Sequence, residues 1–505
     1  MRGRRFAPAL ATLALAAAAC GTTVPSSQIS QAQSGSSGLD GGTTSTGQPS
    51  GAGPGPTADA GDGTSSTTGG TSTGSTSTSG DGSGSAASTG VTAPGSTGSG
   101  PAVAPTAGTT ARGPIKIGAL TATGAGKYQA SLGFKGATGD QVAMTQSVVS
   151  WINAHGGLGG RRIQLVSYDL DPAAMSANQT QAMQAACTYF TQDNKVVAIA
   201  SYVSLIPESF YQCLAKAHVP VVNPDEGVSR DFFQRFPNTL YMPSVPTYSR
   251  LLADSVDVLW NAGWLTSKSV VGVVGYDTND VHAIVDKSLT PALQRHGLKI
   301  TRGLYTSTTT SSASEYNGGV LAFNTQHVDR VFFAPGGQPI YFALAAAQQG
   351  YHPRYELGSL EYLTAIADNL PASQLSGSMG LGWLPYLDLP STAWPSVNPP
   401  GIAECRKAMA GARQDFSSGT TLGIAAWICD DWFFLRDVFA AGATPDEGGI
   451  RRAAESLGDR FRPAATFRTS LAPGRTHDGA GAYRMVAFND ECACFRYTGP
   501  VTALP

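Results

Sequence analysis

The residues able to do chemistry stand in short clusters, each just past an apolar run. They are Thr121-Ala-Thr-Gly-Ala-Gly-Lys-Tyr128, Ser201-Tyr-Val-Ser204, Asn223-Pro-Asp-Glu-Gly227, Tyr276-Asp277, Gly336-Gly-Gln338 and Glu361-Tyr362. Hydroxyl, amide, carboxylate and backbone groups of this kind donate and accept hydrogen bonds. A nucleophile set beside a base has a readable spacing, and it does not occur here. Ser376-Gly-Ser-Met-Gly380 has Ser where the nucleophile elbow Gly-x-Ser-x-Gly needs its first Gly. There is no His-Glu-x-x-His zinc motif, the 7 histidines are scattered, and Gly124-Ala-Gly126-Lys127 lacks the spacing of a phosphate loop. The chemistry left is reversible capture of a small polar molecule, with no cofactor and no metal; a secreted hydrolase is the weaker alternative.

These clusters need a scaffold, and the pattern between them supplies one. Ile115–Leu120, Ile163–Tyr168, Val196–Ser201 and Val219–Asn223 read as strands separated by helices, and Thr239–Pro243 reads as a link onward. The alternation then restarts with strands at Ser269–Tyr276, Leu298–Ile300, Arg330–Ala334 and Tyr355–Ser359. Apolar, β-branched strands alternating with helices predict parallel sheets covered on both faces. The fold class expected is therefore α/β, two doubly wound lobes in tandem. Further helices near 401–416 and 421–440 and a hairpin near 483–497 follow. In such sheets, ligands bind beyond the carboxyl ends of the strands, where the clusters lie.

The N-terminal region has a different composition. Arg2, Arg4 and Arg5 precede the apolar stretch Phe6–Ala19, too short to span a bilayer and right for a signal peptide. It ends in Ala17-Ala18-Ala19-Cys20, similar to a bacterial lipobox, so residues 1–20 are expected to be a lipoprotein signal with Cys20 lipidated; an ordinary secretory peptide is the other reading. Residues 21–112 are rich in Ser, Thr, Gly and Pro, with no aromatic between Phe6 and Tyr128. Such a tract cannot bury enough surface to order itself, and as a flexible coil it would span on the order of 50 Å. Loss of the signal removes three arginines and no acid, moving the formal charge from −2 to −5. No basic stripe and no second apolar span appear, which argues against nucleic acid and against membrane contact other than through the lipid.

Setting Cys20 apart, 6 of the 7 cysteines remain, an even number that suits an oxidising compartment. Cys187 and Cys213 fall on successive helices expected to cover one sheet face and are paired on that ground. Cys405 and Cys429 also fall on successive helices and form the second expected pair. Cys492 and Cys494 would point the same way along a strand, where direct bridging is strained, so their pairing is left open.

One segment carries a family likeness. In Trp151-Ile-Asn-Ala-His-Gly-Gly-Leu-Gly-Gly-Arg-Arg, followed by Ile163-Gln-Leu-Val-Ser-Tyr-Asp169, an amphipathic helix ends in a double-glycine turn and a strand ends in Tyr-Asp. This resembles the first helix-to-strand connection of type I periplasmic binding proteins, the branched-chain amino acid and amide receptors of ABC transporters in particular. The resemblance implies, after the disordered linker read from composition, a domain over 113–505, with lobe 1 at about 113–243 plus 390–470 and lobe 2 at about 246–388 plus 480–505, joined by a multi-crossing hinge. It implies that Thr121 and an aromatic lid at Tyr128 hold the ligand, that Ser204 takes its carboxylate, and that Glu361 takes its ammonium group. Tyr276 and Gln338 would complete the site from the second lobe. The turn Asn223-Pro-Asp225-Glu226-Gly227 departs from the family's Thr-Pro-Ala-Ala-Thr, and Asp225 and Glu226 in the site would favour a cation or a polyhydroxyl over a carboxylate. The expected function is that of a lipid-anchored extracytoplasmic receptor that delivers an amino acid or amide-like solute to an ABC permease. A ligand-sensing lipoprotein not coupled to transport is the alternative.

Overall fold

Strand β1 (Ile115–Thr121) is buried at every position but Lys116, because helices cover both of its faces. The computed structural model describes residues 113–124, 126–127, 135, 138–204, 206–224, 227–306, 313–473 and 478–504. Helix α1 (Gln141–Ala154) follows, capped by Asp140, whose carboxylate accepts the Ala143 N–H at 2.9 Å. Met144, Val148 and Ile152 form its buried stripe. At its end Gly157, at φ +67°, lets the backbone pass where a Cβ would lie 2.1 Å from the Arg161 carbonyl, so only glycine closes this turn. Strand β2 (Ile163–Asp169), helix α2 (Pro172–Thr188), β3 (Ala198–Ser201), α3 (Glu208–Lys216), β4 (Val221–Val222), α4 (Arg230–Arg235) and β5 (Leu240–Tyr241) continue the alternation. The sheet runs β2-β1-β3-β4-β5, all parallel. Leu240–Tyr241, expected to belong to the outgoing link, instead pairs with Val221–Val222 as the fifth strand, and the link begins after it.

Helix α5 (Tyr248–Asn261) leads to a second parallel sheet in the order β7-β6-β8-β9, from β6 (Val271–Tyr276), β7 (Ile300–Thr306), β8 (Arg330–Phe333) and β9 (Arg354–Tyr355). Between them lie α6 (Asn279–Ile284), continued through a π turn into α7 (Thr290–Arg295), then α8 (Ala313–Thr325), α9 (Pro339–Gln348) and α10 (Leu363–Asn369). The strand expected at 298–300 starts only at Ile300, since the Leu298 N–H is still tied to the Leu293 carbonyl at the end of α7. Strands β10 (Met379–Gly382), β11 (Ala482–Asn489) and β12 (Cys494–Ala503) form an antiparallel sheet, joined to β9 by a bridge between Glu356 and Met379.

Beyond β10 lie the longer helices α11 (Ile402–Met409), α12 (Gly419–Ala440) and α13 (Glu447–Leu457). α11 is shorter than the expected 401–416, because the chain tightens into a 3₁₀ turn to Ala412 and Arg413 takes a left-handed φ of 53°. α12 is buried on nearly all sides and packs on α1 and α11. The chain crosses between the sheets at 243–247, and residues 469 and 478–480 lie beside this passage. Thr469 Oγ1 donates to the Pro243 carbonyl at 2.7 Å, and Asp478 accepts the Thr247 N–H at 2.7 Å and the Arg250 guanidinium at 3.1 Å. Disulfides join Cys187 to Cys213, tying α2 to α3, and Cys405 to Cys429, tying α11 to α12. Cys492 and Cys494 are also bonded. They do not lie along one strand: Cys492 is in the hairpin turn, and Ala493 at φ +48° swings the chain so that the two sulfurs meet.

Candidate functional site

In both parallel sheets the chain order reverses beside the first strand, between β1 and β3 and between β6 and β8. Loops diverge at such a switch point and leave a crevice at the carboxyl ends of the strands. The two crevices face each other. Gly227, after β4, sits so close to Pro335, after β8, that a Cβ on it would be 3.0 Å from the proline ring. Ser229, just beyond Gly227, donates both its N–H (3.0 Å) and its hydroxyl (2.5 Å) to the carboxylate of Asp280 at the start of α6. Lys287 pairs with Asp231 beside this contact. On the other flank, Lys135 and Asn369 of α10 exchange two hydrogen bonds of 2.9 and 3.1 Å. Between the flanks, Tyr362 meets Trp427 of α12 edge to face, ring centres 5.6 Å apart.

Tyr276 and Gln338 come together on the second sheet. Gln338, at a left-handed φ of 43°, stands at the head of α9 and donates from Nε2 to the Tyr276 hydroxyl at 3.1 Å. Gly336 (φ +77°) admits the phenol ring, since a Cβ there would lie 2.1 Å from Tyr276 Cδ2. Burial raises the Tyr276 pKa, so the hydroxyl stays protonated and able to donate. Glu361 ends the 3₁₀ turn Ser359–Glu361, where Oε2 accepts the Gly358 N–H at 2.8 Å and Oε1 the Tyr248 hydroxyl at 3.4 Å. Burial, then the charge of Glu356, pushes the Glu361 carboxyl well above the ordinary carboxylate range. Glu356 itself, also raised by burial to about 7, accepts the Ser255 hydroxyl at 3.0 Å. A cationic group placed beside Glu361 would favour its ionised form.

The first sheet's residues are used differently. Thr121 is fully buried, and its hydroxyl donates to Asp169 Oδ1 at 2.5 Å while the Thr123 N–H reaches the same oxygen at 3.0 Å. The Tyr-Asp ending of β2 thus anchors the loop after β1. Ser204 is exposed in the bend after β3. Tyr128, Asp225, Glu226 and Cys20 lie outside the described residues. Trp383, just after β10, is wholly buried, with its backbone N–H bonded to Ser359 Oγ at 2.7 Å.

Sequence reasoning missed the inner wall. Tyr202, directly after β3, turns its ring inward, and its buried hydroxyl has a pKa raised well above 10 by burial and by the charge of Asp431. Asp431 is fully buried, and burial and the adjacent Asp430 hold its carboxyl well above the ordinary range. The signal was present: Asp430-Asp431 interrupts an otherwise apolar run in α12, where acids are seldom placed without a role.

What this geometry defines is an α/β protein with two facing switch-point crevices, which makes the space between them the candidate ligand site. The model of a family described as periplasmic binding protein matches residues 114–490, and the chain belongs to that family. Solved structures share the fold. A branched-chain amino acid transporter substrate-binding protein from Streptococcus pneumoniae, in complex with isoleucine, is 15% identical over 77% of this chain and 99% of its own, with a TM-score of 0.54. An ABC transporter substrate-binding protein from Desulfitobacterium hafniense in complex with Leu is 15% identical over 77% and 100%, TM-score 0.53. A solute-binding protein from R. palustris in complex with 4-hydroxybenzoate is 14% identical over 77% and 98%, TM-score 0.55. No curated protein sequence matches the chain significantly.

Proposed function

We propose that this chain is an extracytoplasmic solute receptor, lipid-anchored through Cys20, that captures a small polar ligand between its lobes and hands it to an ABC importer. The observation that supports the reading is the contact of Tyr276 with Gln338 at the carboxyl edge of the second sheet, with Glu361 in the turn beyond β9, opposite the loops of the first. A phenol, an amide and a carboxyl fit a solute with both donors and acceptors, of amino acid or amide type. Ser204 and Tyr128 belong to the same proposed site on the first lobe, with Thr121 bracing its loop through Asp169, and the acids Asp225 and Glu226 would bias the site toward a positively charged group. Similar folds have been solved with leucine, isoleucine and 4-hydroxybenzoate, which supports a ligand of this size. Thermal-shift screening of the full chain against amino acids, amides, polyamines, sugars and aromatic acids tests the reading. One class should raise the melting temperature in a concentration-dependent way. A flat response across all five classes sinks it.

A further inference from the structure

The three disulfides differ in kind. Cys187, Cys405 and Cys429 are buried, and their bridges span sequence separations of 26 and 24 residues. The third joins Cys492 to Cys494, a separation of 2, at the turn between β11 and β12. Both of its cysteines are partly exposed, and Ala493 between them is exposed. Closing so short a loop removes little entropy from the unfolded chain. The hairpin is already held without it, by pairing from Ala482–Ala503 to Asn489–Cys494 and by Phe488 against Phe495 with ring centres 5.3 Å apart. The bridge therefore adds little as a staple.

Its two sulfurs are chemically unequal. Arg496 Nε donates to Cys492 Sγ at 3.3 Å, while the nearest acid of the turn, Asp490, is turned aside to accept the Ser376 hydroxyl at 3.1 Å; Glu491 is exposed. A cation beside one sulfur stabilises that sulfur as a thiolate and makes it the better leaving group.

We propose that Cys492–Cys494 is a thiol–disulfide exchange site for a small thiol or dithiol carrier. A carrier thiolate attacks Cys494 Sγ. The S–S bond breaks, and its electron pair leaves on Cys492 Sγ beside the Arg496 guanidinium. Cys494 is then in mixed disulfide with the carrier. A second carrier thiolate attacks the carrier sulfur of that bond and releases Cys494. The chain has gained two electrons and two protons as a pair of thiols, and the carrier has become a disulfide. Nothing in this step draws on the solute site.

The oxidised full chain is incubated with reduced and oxidised glutathione at stepped ratios, quenched with acid, alkylated and mapped by peptide mass. Cys492 and Cys494 should be alkylated at ratios that leave the other two bridges intact, and the transient glutathione adduct should sit on Cys494. Arg496→Gln, on an exposed side chain, should slow reduction of this pair several-fold with an unchanged circular dichroism spectrum. Reduction of this pair no earlier than the buried bridges overturns the proposal, as does an adduct on Cys492 or a rate indifferent to Arg496→Gln.

Discussion

At the scale of single residues, the proposed site rests on side chains that are positioned by glycine and by burial. Gly336→Ala places a methyl into the Tyr276 ring at a left-handed φ. It should cost on the order of 1–2 kcal/mol or more in stability and weaken binding by displacing Tyr276. Chemical denaturation together with ligand titration of the variant measures both. Glu361→Gln keeps an oxygen for the Gly358 N–H but removes the charge. For a ligand bearing an ammonium group, affinity should fall by about 1.5–3 kcal/mol, the worth of a charged hydrogen bond. Calorimetry showing equal affinity would remove Glu361 from the site.

Individual elements give a more direct test, because they can be uncoupled. The Cys187–Cys213 bridge ties α2 to α3 across a separation of 26 residues. By the chain-entropy relation its loss should cost roughly 3–4 kcal/mol, read as a lowered denaturation midpoint in the Cys187→Ser, Cys213→Ser double variant. The elements were also what the sequence displayed best. The stripe Met144–Val148–Ile152 and the glycine pairs after it repeat at the period of a helix and its cap, so α1 and the turn to β2 were legible. Strand β5 was not, since Leu240–Tyr241 has no period of its own and becomes a strand only through its partner Val221–Val222. For the proposed site, strand-end position singled out Tyr276, Gln338 and Glu361 as candidates, yet it could not tell that Thr121 would turn to Asp169 or Tyr202 inward to α12. Those choices are made by distant neighbours, which leave no local pattern.

For the whole molecule, the flanking contacts set how the lobes meet. Ser229–Asp280 and Asp231–Lys287 join loops of the first sheet to α6 and the turn after it. Asp280→Ala should shift the chain toward an open form, seen as a larger radius of gyration in small-angle scattering, and saturating ligand should draw it back. An identical scattering curve would mean these contacts do not restrain opening. Acidity acts on the same scale. Burial raises Glu356, Asp388 and Asp430 each to about 7. A folded-state pKa above the unfolded value near 4 stabilises the fold fully at pH below that value, and the gain is lost as pH rises through 7. Melting should therefore occur at a higher temperature at pH 5.5 than at pH 8.5, and Asp388→Asn should flatten the difference.

Helix α12, at 22 residues, is long enough to cross a bilayer, and its only interior charges before Arg436 are Asp430 and Asp431. Among the described residues, no helix is apolar enough to span a membrane. An aspartate at the centre of an inserting helix costs about 2.5–3.5 kcal/mol. In a chain that crosses a membrane unfolded, this buried pair would therefore favour passage of the segment over its release sideways into lipid. Asp430→Leu with Asp431→Leu, placed on a Cys20→Ala background, should leave the exported chain resistant to alkaline extraction from membranes, whereas Cys20→Ala alone should appear in the medium.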